Sequence, residues 1–347
     1  PYRNAAAVRV RYEAARESLA TQLFVAPERI VFTSGATEAN NDVLRNWARQ
    51  LSAHTLVGVN PTEHPSVIEA AKAYLGRRVE WLQIKSDGRV DVDSLRERVQ
   101  SGQIAAVSVM AANNETGVLQ PWQEIADICA EASIPYHCDA SQWVGKMPLA
   151  GLSQCSYVTA CAHKFGGPKG VGFLILPEEL GDFSILLGGV QEKSHRAGTE
   201  DVAGVLAMLA ALKVSKTQDS SGRDYFIKRI LEEIPGTNLV GHEAPRLWNT
   251  VSLLLPRHAS MRWIRALEKS GFLVSAGSAC STGKASVSPC LLAMGIDRVL
   301  AGRALRISSG AETTEQDWQA LANAMVIAFS LLNAEARAEK SSVIYFD

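Results

Sequence analysis

Residues 157–176 read YVTACAHKFGGPKGVGFLIL, and this stretch decides how the rest of the chain is parsed. An apolar, β-branched run ends at Cys161, a lysine follows at 164, a glycine-rich loop turns the chain, and a second apolar run begins at Val171. Two short strands are predicted, Tyr157 to Cys161 and Val171 to Leu176, with polar chemistry gathered between them. Lys164 at the end of a buried strand is a poor choice for packing. It suits an amine whose pKa is lowered by burial and which forms an imine. Lys169, in the loop itself, is expected to face solvent.

Working outward, the same alternation recurs. Strands are predicted at Arg29 to Phe32, Thr55 to Val59, Val79 to Ile84, Ile104 to Val109 and Tyr136 to Cys138. Helices fall between them at Glu38 to Leu51, Ser66 to Leu75, Asp93 to Val99 with Asp93 as N-cap, and Trp122 to Ala132. Such alternation with short connections implies an α/β fold with a mostly parallel, doubly wound sheet. The polar stretch Ser215 to Asp224 reads as a linker. Beyond it, strands at Thr250 to Leu255 and Leu273 to Ser275 and helices at Ser260 to Ser270 and Glu315 to Leu332 suggest a smaller α+β domain. The expected domains are therefore 1–214 and 215–347, in keeping with a chain of 347 residues.

Composition narrows the function classes. A hydrophobic fraction of 47% and a charged fraction of 20% belong to a globular chain, and a net charge of −1 gives no reason to expect direct nucleic-acid binding. No run approaches the ~20 apolar residues that span a bilayer. Pro1 to Arg11 carries three arginines without the apolar core of a signal peptide. The six cysteines, 129, 138, 155, 161, 280 and 290, show no CxxC spacing, so neither a disulfide framework nor a metal site is expected, and a cytoplasmic location is.

Polar clusters recur at predicted strand ends, where ligands of doubly wound sheets bind. Thr33–Glu38 follows a strand and opens a helix, an arrangement that either binds an anion or simply caps the helix. His64 and the Asn113-Asn114 pair are each ambiguous alone: a satisfied histidine, or a turn, explains them as well as a ligand does. Asp139 ends an apolar strand, where a carboxylate needs a partner, such as a protonated ring nitrogen. Cys280 lies among Ser275–Ala279 and Ser281–Lys284, a small-residue loop expected to be mobile, whereas a structural cysteine sits in an apolar run as Cys290 does.

Taken together, TSGATEANN (33–41), EHPSV (63–67), NNETG (113–117), HCDASQ (137–142), AHKFGGPKG (162–170), RAGTE (196–200), SAGSAC (275–280) and ALRISSG (304–310) resemble the cysteine desulfurases of the class V aminotransferase-like fold, particularly the NifS/IscS-like branch. The resemblance spans almost the whole chain. It implies a pyridoxal 5'-phosphate (PLP) enzyme of fold type I, with 1–214 the large cofactor-binding domain and 215–347 the small domain carrying the cysteine loop. Lys164 is then the imine-forming lysine and Asp139 the partner of the pyridine nitrogen. Gln142 donates to the phenolic oxygen, and His64 stacks on the ring. Ala36, Thr37, Cys161 and His163 take phosphate positions. Thr199 reaches the phosphate of the other subunit of a homodimer. Asn114 lies beside the phenolic oxygen and the substrate carboxylate, and Arg306 grips that carboxylate. Cys280 takes sulfur from L-cysteine as a persulfide, leaving L-alanine, for delivery to a sulfur-acceptor or scaffold protein.

Iron–sulfur cluster assembly, tRNA thiolation and DNA phosphorothioation are all destinations open to that sulfur. A selenocysteine lyase or related C–S lyase, and a non-catalytic partner subunit of the same fold, are the alternatives. Two departures from the family pattern stand out. Cys161 replaces the usual serine, which predicts slightly weaker phosphate binding because a thiol is the poorer donor. The sequence opens at Pro1, past the family's LDxxATT-type segment, which is expected to be truncated, disordered and omitted, or lacking from the protein.

Overall fold

The computed structural model describes residues 2–179, 183–277 and 287–341, and they divide into two compact units. The first comprises 1–85, 89–113 and 119–217; the second comprises 86–88, 114–118 and 218–347.

In the first unit the chain runs α1 (Arg3–Leu23), β1 (Ile30–Thr33), α2 (Ala36–Gln50), β2 (Leu56–Val59), α3 (Pro65–Ala70), β3 (Val79–Trp81), α4 (Val92–Gln100), β4 (Ile104–Ser108), α5 (Trp122–Glu131), β5 (Tyr136–Asp139), β6 (Tyr157–Cys161), β7 (Gly172–Ile175) and α6 (Val202–Val214). The strands form one seven-stranded sheet in the order β1-β7-β6-β5-β4-β2-β3. The run from β6 to β3 is parallel throughout, and β7 pairs antiparallel with both β1 and β6. The mostly parallel sheet is as expected. The single reversal follows from the short glycine-rich turn 165–171, which is too brief for a parallel crossover.

Because β7 is reversed, its first residue Gly172 lies between Thr33 at the end of β1 and Cys161 at the end of β6. The carboxyl ends of β1, β2, β4, β5 and β6 therefore open on one edge of the sheet. Strand burial is complete in β1, β5, β6 and β7, as continuous apolar runs require. Their side chains build a core with α2 and α3 that includes Val43, Leu44, Trp47, Val59, Val67, Tyr157 and Leu174.

Several element boundaries differ from expectation for local reasons. Helix α4 is capped by Asp91, whose side chain accepts from Ser94 N–H, rather than by Asp93, which becomes a first-turn residue. The helix after His64 is α-helical only to Ala70 and continues as one π-type turn, Ala71–Leu75. Ser221–Asp224 belongs to the first turn of a helix, so the polar connection is confined to 215–220.

The second unit contains α7 (Ser221–Glu233), β8 (Asn238–Leu239), β9 (Thr250–Leu254), α8 (Ser260–Lys269), β10 (Ser275–Ala276), α9 (Pro289–Ala293), α10 (Arg298–Ala301), β11 (Ala304–Ser308) and α11 (Glu315–Ser341). Its four strands form an antiparallel sheet in the order β10-β11-β9-β8. Helices α7, α8 and α11 cover that sheet through Phe226, Ile230, Trp263, Leu267, Trp318 and Met325, which meet Val251, Leu253, Leu305 and Ile307.

Candidate active site

At the open edge of the seven-stranded sheet, α2 begins directly over the junction of β6 and β7. A Cβ at Gly172 would lie 2.4 Å from the Ala160 carbonyl and 2.8 Å from Gly35 Cα, so only glycine lets the two backbones approach. Gly35, the N-cap of α2, adopts φ 143° and ψ 178°, a conformation essentially reserved for glycine. Among the described residues, no side-chain cap bond is made at this N-cap. The N–H of Ala36 approaches the Cys161 thiol, and Thr37 beside it is exposed. A helix start of this kind, with N–H groups and the positive end of the helix dipole facing outward, suits an anion such as phosphate.

Lys164 occupies the single 3-10 turn Ala162–Lys164 that follows β6. Its side chain is exposed, where burial was expected, because the turn lifts it off the strand end; Lys169 is exposed as anticipated. Electrostatically Lys164 is felt by His64, Cys161 and Lys146, which places those groups around it. Cys161 is buried, its thiol pushed up by burial and by Asp139. The Ser141 hydroxyl lies beside this thiol, a weak acceptor, and has no stronger partner among the described residues. His163 Nε2 stands 3.9 Å from Cys161 Sγ.

Asp139, the last residue of β5, is buried and doubly bonded: Ser141 N–H donates to Oδ1 at 2.9 Å and Asn40 Nδ2 donates to Oδ2 at 2.8 Å. His64 is half-buried at the start of α3 and caps that helix, its Nδ1 accepting from Ser66 N–H at 3.1 Å. Burial holds the His64 imidazole below its ordinary pKa, with Lys164 acting the same way and Asp139 opposing.

Asn40 and Lys146 were not among the residues singled out from sequence. Asn40 is fully buried and bonds Asp139 directly. Lys146 donates to Gln142 Oε1 and is pushed down to about 8, first by burial and then by Lys164. Its signal was the four-residue spacing from Gln142, since Ala140 to Met147 turns helically with Val144 N–H bonded to Ala140 and Met147 N–H to Trp143. Thr199 is exposed in the loop that precedes α6.

In the second unit, Arg306 on β11 donates through a terminal nitrogen to the Asn114 backbone carbonyl at 3.2 Å. Its Nε–H is buried without a partner among the described residues, which leaves donor capacity for an anion. Arg306 pairs across the sheet with Ser275 on β10, the strand that leads into the segment carrying Cys280. Cys280 itself lies outside the described residues. The flanks of that segment lie together: a Cβ at Gly277 would be 3.3 Å from Ser288 Cβ and 3.4 Å from Glu115 Oε2.

Together, the sheet order and a strand-end lysine, carboxylate and histidine beside an open helix start define a PLP-dependent enzyme of fold type I. The chain belongs to the class-V aminotransferase family, whose description matches residues 2–321. It is 35% identical over 326 residues to an IscS-like cysteine desulfurase of Mycobacterium tuberculosis, covering 89% of this chain and 83% of that one. It is 34% identical to a cysteine desulfurase IscS of Dictyoglomus turgidum, covering 89% and 81%. A solved structure described as a NifS-like protein superposes with a TM-score of 0.85 at 28% identity, over 95% of this chain and 90% of that one.

The residues fit PLP on structural grounds of their own. An uncapped helix start suits its phosphate, a buried carboxylate suits a protonated pyridine nitrogen, and an exposed lysine amine suits its aldehyde. The weakly partnered Ser141 hydroxyl adds a donor beside the helix start.

Proposed function

We propose that this protein is a cysteine desulfurase that converts L-cysteine to L-alanine and moves the sulfur to Cys280. The observation that carries this reading is the grouping of Lys164, Asp139, His64 and Cys161 at one sheet edge beside the α2 start, within a chain whose relatives are named cysteine desulfurases.

PLP, when bound, supplies an electron sink that stabilises negative charge at the substrate α-carbon. The protein's own groups do the rest. Lys164 would hold the cofactor through its amine, and that amine would carry the α-proton. Asp139 keeps the pyridine nitrogen protonated, and Gln142 donates to the phenolic oxygen, its own oxygen being held by Lys146. Ala36, Thr37, Cys161 and His163 bind the phosphate. His64 would lie against the ring. Arg306 binds the substrate carboxylate, a role suited by its Nε–H, which has no partner among the described residues, with Asn114 beside it.

Cys280, as thiolate, attacks the substrate sulfur. A sulfur–sulfur bond forms and the Cβ–S bond breaks, its electron pair passing to carbon, which takes up a proton to give alanine. The Cys280 persulfide then passes sulfur to an acceptor or scaffold protein, with iron–sulfur cluster assembly as the fitting destination given the IscS-type relatives. Thr199, exposed in its loop, is assigned to the partner's phosphate in a cytoplasmic homodimer.

The test is to incubate the full chain with PLP and L-cysteine and to quantify alanine and protein-bound persulfide. Cys280→Ser should retain the cofactor's visible absorbance and lose the persulfide. A non-catalytic subunit would give no lysine-dependent absorbance band, and a plain C–S lyase would release product without a persulfide.

A further inference from the structure

Two side chains, Asn40 and Ser66, join Asp139 to His64 in one unbroken line. Asn40 Nδ2 donates to Asp139 Oδ2 at 2.8 Å and to Ser66 Oγ at 2.9 Å. Ser66 Oγ lies 2.8 Å from His64 Nδ1. Asn40 is wholly shielded from solvent, and Ser66 is 8% exposed.

The direction of every bond follows from one fact: a carboxylate only accepts. Asp139 therefore requires the NH2 side of Asn40 to face it, since the flipped amide would set oxygen against oxygen. The Asn40 oxygen then accepts from Thr159 Oγ, which stands 2.6 Å away. The second Nδ2 hydrogen points at Ser66 Oγ, so the Ser66 hydroxyl proton is free to point onward to His64 Nδ1. That nitrogen already accepts the Ser66 backbone N–H at 3.1 Å. Two donors converge on it, and the ring proton must sit on Nε2.

With its proton spent on Asn40, Thr159 Oγ accepts from His137 Nε2 at 3.4 Å, and His137 Nδ1 accepts from Ser108 Oγ at 2.9 Å. His137 is fully buried, and burial takes its imidazole down to about 4 against the opposing pull of Asp139, in keeping with a neutral ring.

We propose that Ser66 is a positioning residue: through Asn40 it takes its donor direction from Asp139, and it fixes His64 as a neutral ring protonated at Nε2 and held in one orientation. This rests on the reading that Asp139 and His64 face PLP. The His64 ring and the group that pairs with the cofactor's pyridine nitrogen are then held by one rigid network rather than by separate supports. The charged groups acting on His64 are Asp139 from the end of β5 and Lys164 from the turn after β6.

The test is nitrogen NMR of the full chain carrying labelled histidine, with and without PLP, the His64 signals being assigned by their loss in His64→Gln. In the wild type, Nδ1 should be unprotonated and Nε2 protonated. Ser66→Ala removes one of the two donors to Nδ1 that favour the neutral ring. The ratio of charged to neutral His64 at a given pH should then rise roughly threefold to tenfold. Ser66→Thr should restore the wild-type ratio.

A proton on Nδ1 in the wild type, or an unchanged His64 titration in Ser66→Ala, overturns the proposal. If the chain bound no PLP, the functional reading would fall, yet the His64 signals of the cofactor-free chain would still decide the direction of the network.

Discussion

The Ser288 hydroxyl donates to the Glu115 carboxylate at the point where the chain leaves and re-enters the segment carrying Cys280. Ser288 also caps α9, accepting from Leu291 N–H at 3.2 Å, and Gly277 packs against both residues. Burial raises the Glu115 carboxyl pKa, while Ser288 and Arg306 counter it. One buried acid thus binds the downstream flank of the cysteine segment through Ser288, lies close to Gly277 on the upstream flank, and is acted on by Arg306 of β11.

Glu115→Ala should therefore uncouple the cysteine segment from its supports. It leaves a buried hydroxyl without its acceptor, a loss of about 1–3 kcal/mol. We expect a lower melting temperature, and single-turnover persulfide formation slowed more than the binding of PLP, which is followed by absorbance. Unchanged persulfide kinetics in a stable variant would show that the flanks need no such tie.

Gly35→Ala places a side chain at φ 143°, where strain alone costs of order 1–3 kcal/mol. Space is not the obstacle, since the nearest atom to the new methyl is Cys161 Cβ at 3.9 Å. Relief of the strain would rotate the first N–H groups of α2. PLP affinity, measured by equilibrium titration, should fall by at least tenfold, with a smaller effect on the turnover of the fully loaded enzyme. A normal affinity would remove the α2 start from the phosphate site.

Lys146 gives a pH signature. Its pKa falls from an ordinary 10.5 to about 8 in the folded chain, through burial first and Lys164 second. Between those values the unfolded chain holds a proton that the folded chain does not, so this residue's contribution to stability improves as pH rises from about 8 and levels off near 10.5. The melting temperature of the cofactor-free wild type, less that of Lys146→Met, should rise across that interval. A flat difference would mean that Lys146 keeps its full charge without cost.

Glu192 organises the other side of the first unit. It accepts from Tyr12 OH at 2.7 Å, from two nitrogens of Arg16 at 2.9 and 2.7 Å, and from Phe32 N–H at 2.8 Å. Glu192, Lys193 and Ser194 all take positive φ, a strained run that these bonds hold in place. Glu192→Ala removes two of the buried Arg16 guanidinium's bonds and leaves it, among the described residues, only the Ile30 carbonyl and the part-exposed Glu13 carboxylate at 3.0 Å. It should cost about 3–5 kcal/mol, whereas Arg16→Met combined with Glu192→Ala should cost less than the two single changes summed. Denaturant titration of the four proteins decides it, and strict additivity would contradict the coupling.

Much of this site was legible from sequence because its residues sit where apolar strands end. Asp139 and Lys164 break buried runs, and a polar residue at such a position announces itself. Asn40 and Ser66 gave no such sign. Each lies within a helix, and the bond that joins them brings together positions 26 residues apart. The antiparallel β7 escaped the alternation rule because that rule weighs the order of elements and not the length of the turn 165–171 that reverses the chain. Asp93 and Asp91 are equally good caps by type, and only the backbone of Asp91, extended at φ −75° and ψ 101°, separates them. The exposure of Lys164 depended on a single turn after β6 that propensity does not specify.

The most direct measurement follows sulfur. The full chain, loaded with PLP and given L-cysteine without a reductant, should release one alanine for each persulfide formed, with the persulfide on Cys280 by mass spectrometry. Cys280→Ser should abolish both products while keeping the cofactor's absorbance, and Lys164→Ala should lose the absorbance itself. Alanine released at the wild-type rate by Cys280→Ser would contradict the account.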